Sequence, residues 1–476
     1  MKAVRLLPAV ATLVAASVAG CASVPREAGF GDVRRVVADR TGQRVHWNQG
    51  TSADAAVADS VRALLQKELT ADEAVQVALL NNRNLQATYE ELMVAQADLV
   101  SAGLLRNPVF DAEVRIHEGG GGVGGEYAIV QDFIDLLYIP MRKRLAEAAF
   151  EAAKLRVAGR VMDLAGEVRA AFLTLQASQQ MLEMRRQVVT ATEASYDVAR
   201  RLRAAGNITE LELANEQALA ERARLDLRSA ELEVLQERER LNALLGLWGP
   251  AAAGWTAAVR LPEPPAEDPL AEGLEGRAIK RSLDLRAARR DVEAAARSVG
   301  LAAPFGWLPD AEAGVSAEHE PEGEWAVGPA FSLPIPLWNQ GQPQVAAARA
   351  EWRAARQRYA GLAVEIRSRT RAARDALAAA RDQAEYYRRV VLPLHQRIVQ
   401  ETQLQYNAMQ IGPIQLLLAR QQQIDAGAAY IRSLRAYWLA RTRLDQILSG
   451  RLPTFEAGAA AESSPSPTPA GGGGGH

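Results

Sequence analysis

The sequence predicts a mainly α fold with a small membrane β part, in which a strand pair followed by long coiled-coil helices is built twice. Three observations carry this. Apolar residues recur every seven positions through two long stretches. The same order of elements appears in both halves of the chain, and four short segments alternate apolar with polar residues.

Lys2 and Arg5 precede an uncharged apolar run, Leu6 to Ala19, followed by Gly20 and Cys21. A basic start, a short apolar stretch and small residues at a cleavage point make residues 1–20 a secretory signal peptide. The run is shorter than the ~20 residues that a membrane-crossing helix needs. Cys21 is the only cysteine, so no intramolecular disulfide can form. A lone cysteine elsewhere would read as a small buried hydrophobe. Directly after Gly20 it resembles the bacterial lipobox, whose thiol is acylated and becomes the mature N-terminus. Ala22, in place of an aspartate, makes the outer membrane the expected destination. Acyl chains there contribute ~0.8 kcal/mol per buried CH₂. Residues 21–67 are then a lipid-anchored extension.

The remaining chain has no apolar run of ~20 residues. Formal net charge is −2 with acids and bases interspersed, which disfavours nucleic acid as a partner. Aromatics make up 5% while Ala, Leu, Arg, Glu and Gln dominate long stretches, a composition of long, closely packed helices. Residues 451–476, with Ser-Pro-Ser-Pro-Thr-Pro and a glycine run, cannot bury a core and are expected to be disordered.

The first copy covers residues 68–247, with strands at about 108–117 and 126–134 and helices at about 141–205 and 209–246. The second covers 275–450, with strands at about 309–318 and 324–333 and helices at about 344–411 and 414–448. Asn84-Leu85 and Asp284-Leu285 mark the opening helices; Glu126-Tyr127-Ala128 and Glu324-Trp325-Ala326 open the second strands, which close on Pro140 and Pro336. Gly206-Asn207-Ile208 and Gly412-Pro413-Ile414 break the long helices. Glycine supplies a left-handed cap and proline cannot continue a helix, so sharp reversals are expected at both. Residues 248–274, rich in Pro and Ala, read as a linker.

Val161, Val168, Leu175, Leu182, Val189 and Tyr196 form one seven-residue seam. Ile366, Ala373, Ala380, Tyr387 and Leu394 form another, with Leu377, Ala384, Val391 and Ile398 beside it. These are coiled-coil positions, and the second seam is expected to bend at Pro393 without losing register. Phe110, Ala112, Val114 and Ile116 alternate with Asp111, Glu113, Arg115 and His117; the other strands alternate likewise. One dry and one wet face over ~9–11 residues suits a membrane β-strand, with Asp111, Glu113, Asp310, Glu312 and Glu318 towards a lumen. Four strands cannot close a barrel and open edges are forbidden in lipid, so several protomers must pool them.

Enzymatic chemistry finds little footing. His46, His117, His319, His395 and His476 show no paired zinc spacing, and no nucleophile elbow or P-loop occurs. Neither a cofactor nor a resident metal is expected. The glycine-rich stretch from Glu118 to Gly125 joins two strands and reads as an external hairpin loop.

Leu69-Thr70-Ala71-Asp72-Glu73-Ala74, Ala102-Gly103-Leu104-Leu105-Arg106-Asn107-Pro108, Pro336-Leu337-Trp338-Asn339-Gln340-Gly341-Gln342, and the stretch from Tyr406 through Gly412 to Leu416-Leu417-Leu418-Ala419 stand in order on the duplicated frame. Together they resemble the TolC-like outer-membrane factors of tripartite efflux and type I secretion systems. The resemblance implies a homotrimer whose twelve-stranded β-barrel continues into a periplasmic α-barrel. It implies a passive exit duct served by a periplasmic adaptor and an inner-membrane pump of the resistance–nodulation–division type. Gly206, Asn207, Gly412 and Pro413 would lie at the tip where the adaptor docks, and the linker at the tube's equator. Many relatives carry an acid at the position of Leu418. Its replacement by leucine makes Leu418, or Glu210 and Glu212 nearby, the candidates for the tip constriction. The Ala-Gly-Leu-Leu-Arg-Asn-Pro stretch is most similar to members serving heavy-metal efflux; drug or small organic efflux and type I secretion are the alternatives. A periplasmic coiled-coil spacer or adaptor lipoprotein is the competing reading of another class.

Overall fold

The computed structural model describes residues 23–116, 123–132, 135–268, 272–305, 312–319, 324–332, 335, 337–338 and 340–453. Cys21, His117, Phe133, Asp310, Pro336 and the chain from residue 454 lie outside the described residues.

Helices α1 (Phe30–Thr41) and α2 (Ser52–Leu65) come first. The first copy runs β1 (Glu68–Leu69), α3 (Ala71–Asn81), α4 (Arg83–Ala102), β2 (Val109–Ile116), β3 (Val123–Asp132), α5 (Asp135–Ala204) and α6 (Glu210–Leu245). Then α7 (Pro250–Gly254) and β4 (Thr256–Ala257) lead to the second copy. This runs α8 (Leu274–Arg281), α9 (Leu283–Phe305), β5 (Glu312–His319), β6 (Trp325–Ser332), α10 (Gln342–Tyr386), a π-helical turn (Tyr387–Val391), α11 (Leu392–Asn407) and α12 (Pro413–Leu448). The fold is mainly α with a small β part, as the sequence predicts.

Local chemistry explains the boundaries. Glu73 N–H donates to Thr70 Oγ1 and Thr70 N–H donates back to the Glu73 carboxylate, a capping box that opens α3. Thr209 and Glu212 open α6 in the same way. At 70 residues α5 is about 105 Å long. Its seam is fully buried at Val161, Val168 and Leu175, then only half-buried at Val189 and Tyr196.

Several expectations are corrected. β3 ends at Asp132 and α5 starts at Asp135, so Pro140 lies inside a helix and does not close a strand. The first helical amides lack intrahelical acceptors, and Pro140 stands just past them, forgoing a single bond. β3 begins at Val123, so Gly124 and Gly125 leave the glycine-rich loop and join the ladder. The seam through Pro393 does not keep register. Thr370, Leu377 and Ala384 are buried at the positions matching Val168, Leu175 and Leu182, yet the second reversal arrives one residue late. The π turn, where Leu392 N–H donates to the Tyr387 carbonyl, absorbs that extra residue. One residue rotates the remainder of the helix by roughly 100°, and Leu394 is accordingly exposed.

The four strands form one antiparallel sheet in the order β2-β3-β5-β6. Phe110 lies opposite Ile129, Ile129 opposite Val315, and Val315 opposite Pro329. In the linker, β4 pairs in parallel with β1. Asp268 anchors the linker's far end: its fully buried carboxylate accepts from Arg381, Arg441 and the Tyr437 hydroxyl, each at 2.7 Å. Arg451, which the sequence reading assigns to the disordered tail, is instead ordered: it holds Asp163 at 2.6 Å and also pairs with Asp284.

Candidate functional site: a one-sided sheet and a helical tip

The register sorts the strands into two unlike faces. Phe110, Val114, Ile129, Val315, Val327 and Phe331 share one face and are all exposed. Tyr127, His319 and Trp325 cluster on that face towards the hairpin-loop end, with ring centroids 6.1 Å apart for Tyr127–Trp325 and 4.8 Å for His319–Trp325. Phe331 stands at the helical end, Phe110 shares a row with Ile129 and Val315, and Val327 is level with Tyr127. An apolar face of aliphatic and aromatic side chains suits contact with lipid. Tyr127 lies across Gly125, where any Cβ would press the ring at 3.2 Å.

The opposite face carries Asp111, Glu113, Arg115, Glu126, Ser316 and Glu318, and the register places Glu312 on it as well. Glu113, Glu126 and Glu318 form a row across three strands. Arg115 reaches all three, at 2.9, 3.3 and 4.0 Å. Glu126 was not among the expected lumen acids, although its alternation with Tyr127 and Ile129 could have revealed it. Among the described residues β2 and β6 each have one strand neighbour and one open edge.

At the other end the two long hairpins reverse. Gly206 has φ +77°, and the amides of Gly206 and Asn207 bond back to Arg203 and Leu202. Gly412 does not play the matching part. Its backbone is extended, with φ −83°, and it stands immediately ahead of α12. The left-handed residue of the second reversal is Met409, φ +57°, whose amide bonds to Tyr406 while Gln410 bonds to Gln405. Gly412 therefore matches Thr209, and the apparent Gly206–Gly412 correspondence is displaced by three residues. Pro413 opens α12, where a missing amide costs nothing.

Glu212 is engaged in its capping box, and Glu210 accepts from Arg203 at 3.0 Å. Leu418 and Ile414 are exposed one turn apart on α12, while Leu416 and Ala419 turn inward. Near the tip a cavity of about 670 Å³ separates the hairpins. Ser195 donates to Glu216 at 2.7 Å; Arg420 donates to Ser195 at 3.3 Å and to Gln403 at 2.8 Å. This link between the copies was invisible to periodicity. Among the described residues no helix is long and apolar enough to cross a membrane, and no three His, Cys, Asp or Glu side chains gather where a metal would sit.

A sheet apolar on one face and charged on the other, open at both edges and continued by helices about 100 Å long, defines a wall segment of a membrane duct. Residues 139–247 and 274–450 match the outer membrane efflux protein family, and the chain belongs to that family. The cobalt-zinc-cadmium resistance protein CzcC of Cupriavidus metallidurans is 24% identical over 393 residues, 80% of this chain and 90% of that protein. The Campylobacter jejuni CmeC outer membrane channel superposes with TM-score 0.68 at 16% identity, covering 81% of this chain and 87% of that one. The CusC structure gives TM-score 0.65 at 17% identity over 82% and 92%. The protein is an efflux duct component of the outer membrane.

Proposed function

We propose that three copies pool their strands into a twelve-stranded barrel and their helices into a periplasmic tube, forming the passive exit of a tripartite system. An inner-membrane pump of the resistance–nodulation–division type supplies the energy, and a periplasmic adaptor docks around the two reversals, at Gly206-Asn207 and between Met409 and Pro413. The observation that carries this reading is the four-stranded sheet itself. Its apolar face suits lipid, but the open edges of β2 and β6 would leave backbone groups unpaired there in a lone protomer. Heavy-metal cations are the proposed cargo, supported by the likeness to a cobalt-zinc-cadmium resistance protein. The acids around Arg115 would keep the lumen wet and cation-tolerant, and Leu418 would narrow the tip. Acylated Cys21 would hold the chain on outer-membrane lipid.

Heat-modifiable trimers with single-channel conductance in planar bilayers are the expected result; a monomeric rod without conductance would favour a periplasmic spacer. A deletion strain challenged with metals and antibiotics separates the cargo classes. Sensitivity to cobalt, zinc or cadmium alone supports metal export, and sensitivity to antibiotics alone refutes it.

A further inference from the structure

Where the sheet gives way to helices, three segments distant in the chain gather exposed bases beside exposed leucines. The connection from α4 into β2 presents Leu104 and Leu105, exposed at 44% and 50%, and then exposed Arg106. Arg142 on α5 donates to the Leu104 carbonyl at 3.2 Å, and a Cβ at Gly103 would meet the stem of Lys143 at 3.9 Å. Arg297 on α9 donates to the Arg144 carbonyl at 2.7 Å. Arg106, Lys143, Arg144 and Arg297 therefore share one patch, and all four are exposed.

Among the described residues Lys143, Arg144 and Arg297 have no carboxylate partner. Further from the sheet the same two helices do pair their bases. Lys154 meets Asp32 and Glu151, Arg156 meets Asp291, and Arg289 and Arg290 meet Glu293. Like charges left uncompensated at one level repel each other and favour an anion from outside the chain.

Side and height say which anion. Gln131 shares a row and a face with Phe331, and it donates to the Arg106 carbonyl at 2.9 Å. The patch thus adjoins the apolar face of the sheet. Lys143 and Arg144 lie eight and nine residues into α5, and Arg297 lies eight before the end of α9, about 12–14 Å from the strand-side helix ends. Lipid headgroups fill roughly 5–8 Å beyond the hydrocarbon, and long basic side chains reach back towards them with their stems on apolar surface.

We infer that Lys143, Arg144 and Arg297, with Arg106, bind the phosphates of anionic phospholipids in the periplasmic leaflet of the outer membrane. Leu104 and Leu105 enter the acyl boundary beside them. Bases at a membrane surface add their attraction for anionic lipid, so the patch selects phosphatidylglycerol over zwitterionic phosphatidylethanolamine. The inference rests on the reading that the sheet crosses the membrane, and it names the lipid held at the inner rim.

The test mixes full-length protein in detergent with equal amounts of phosphatidylglycerol and phosphatidylethanolamine, and counts the lipids retained by the trimer in native mass spectrometry. Phosphatidylglycerol is expected to be retained in preference. Lys143→Gln, Arg144→Gln and Arg297→Gln together should lower that preference about tenfold while the trimer fraction is unchanged. Lys143→Arg should keep it. So should Arg201→Gln, Arg222→Gln and Arg397→Gln together, which remove the same charge at exposed positions far from the sheet. Conducting trimers that retain the two lipids equally, or a preference that survives the first triple change, would overturn the lipid site and leave the duct standing. Trimers that fall apart on that change would place these bases between copies and overturn it as well. Absence of trimers and conductance in the unaltered protein would overturn the duct reading and this inference with it.

Discussion

Asp268 shows how one side chain can fix a long connection. A buried carboxylate is tolerable only when its charge is matched and its lone pairs are used, and two guanidinium groups and a hydroxyl do both here. Burial and the neighbouring carboxylate push the Tyr437 hydroxyl up to about 12, so it remains a donor at neutral pH. Asp268→Ala would leave Arg381 with Glu385 and Arg441 with Asp445 but remove the carboxylate that joins them to Tyr437, and is expected to cost about 3 kcal/mol, read as a lower midpoint in thermal denaturation. Met409 offers the opposite experiment. A non-glycine residue in the left-handed region carries a strain of about 1 kcal/mol, and Met409 is 94% exposed with no packing visible to offset it. Met409→Gly is therefore expected to raise the unfolding midpoint, and Gly206→Met to lower it by a similar amount. Equal midpoints for both variants would contradict the assignment of the two left-handed positions.

Elements were legible where periodicity alone decides them. Val161, Val168 and Leu175 announce the core of α5, and the alternation from Phe110 to Arg115 announces β2. The π turn was not legible, because a one-residue insertion looks the same wherever it falls in an apolar seam. Only the hydrogen bond from Leu392 to Tyr387 places it. The docking of α1 was hidden for a related reason, since its partners lie far along the chain. Val33 and Val37 are buried, and Lys154 Nζ meets Asp32 at 2.6 Å. The hydrogen bond from Lys154 holds the Asp32 carboxyl below its usual 3.8. The stability this contributes is present in full above the usual value and is lost as pH falls through the depressed one. Amide protection of residues 30–41 should accordingly drop as pH is taken from about 5 to about 3. Lys154→Met should weaken that dependence, leaving the smaller share that Arg35 contributes; a variant with the same pH profile would refute it.

At the scale of the whole molecule the sheet's apolar face and open edges are the features on which the proposed pooling of several copies rests. Lipid attachment is a separate matter, since Cys21 lies outside the described residues. Cys21→Ser is expected to abolish incorporation of labelled palmitate while leaving trimers in detergent unchanged. Undiminished labelling would remove the anchor from this account.

By itself the sequence determined the fold class, the duplication and the two-faced strands. Each of these comes from short-range periodicity, in which the side-chain direction at every position is set by neighbours a few residues away. Tertiary structure alone decided that Met409 is the partner of Gly206, that Glu126 joins Glu113 and Glu318 beside Arg115, and that Arg451 belongs to the core. These depend on contacts between residues distant in the chain, whose pairing is fixed by packing and by the register of one copy against the other.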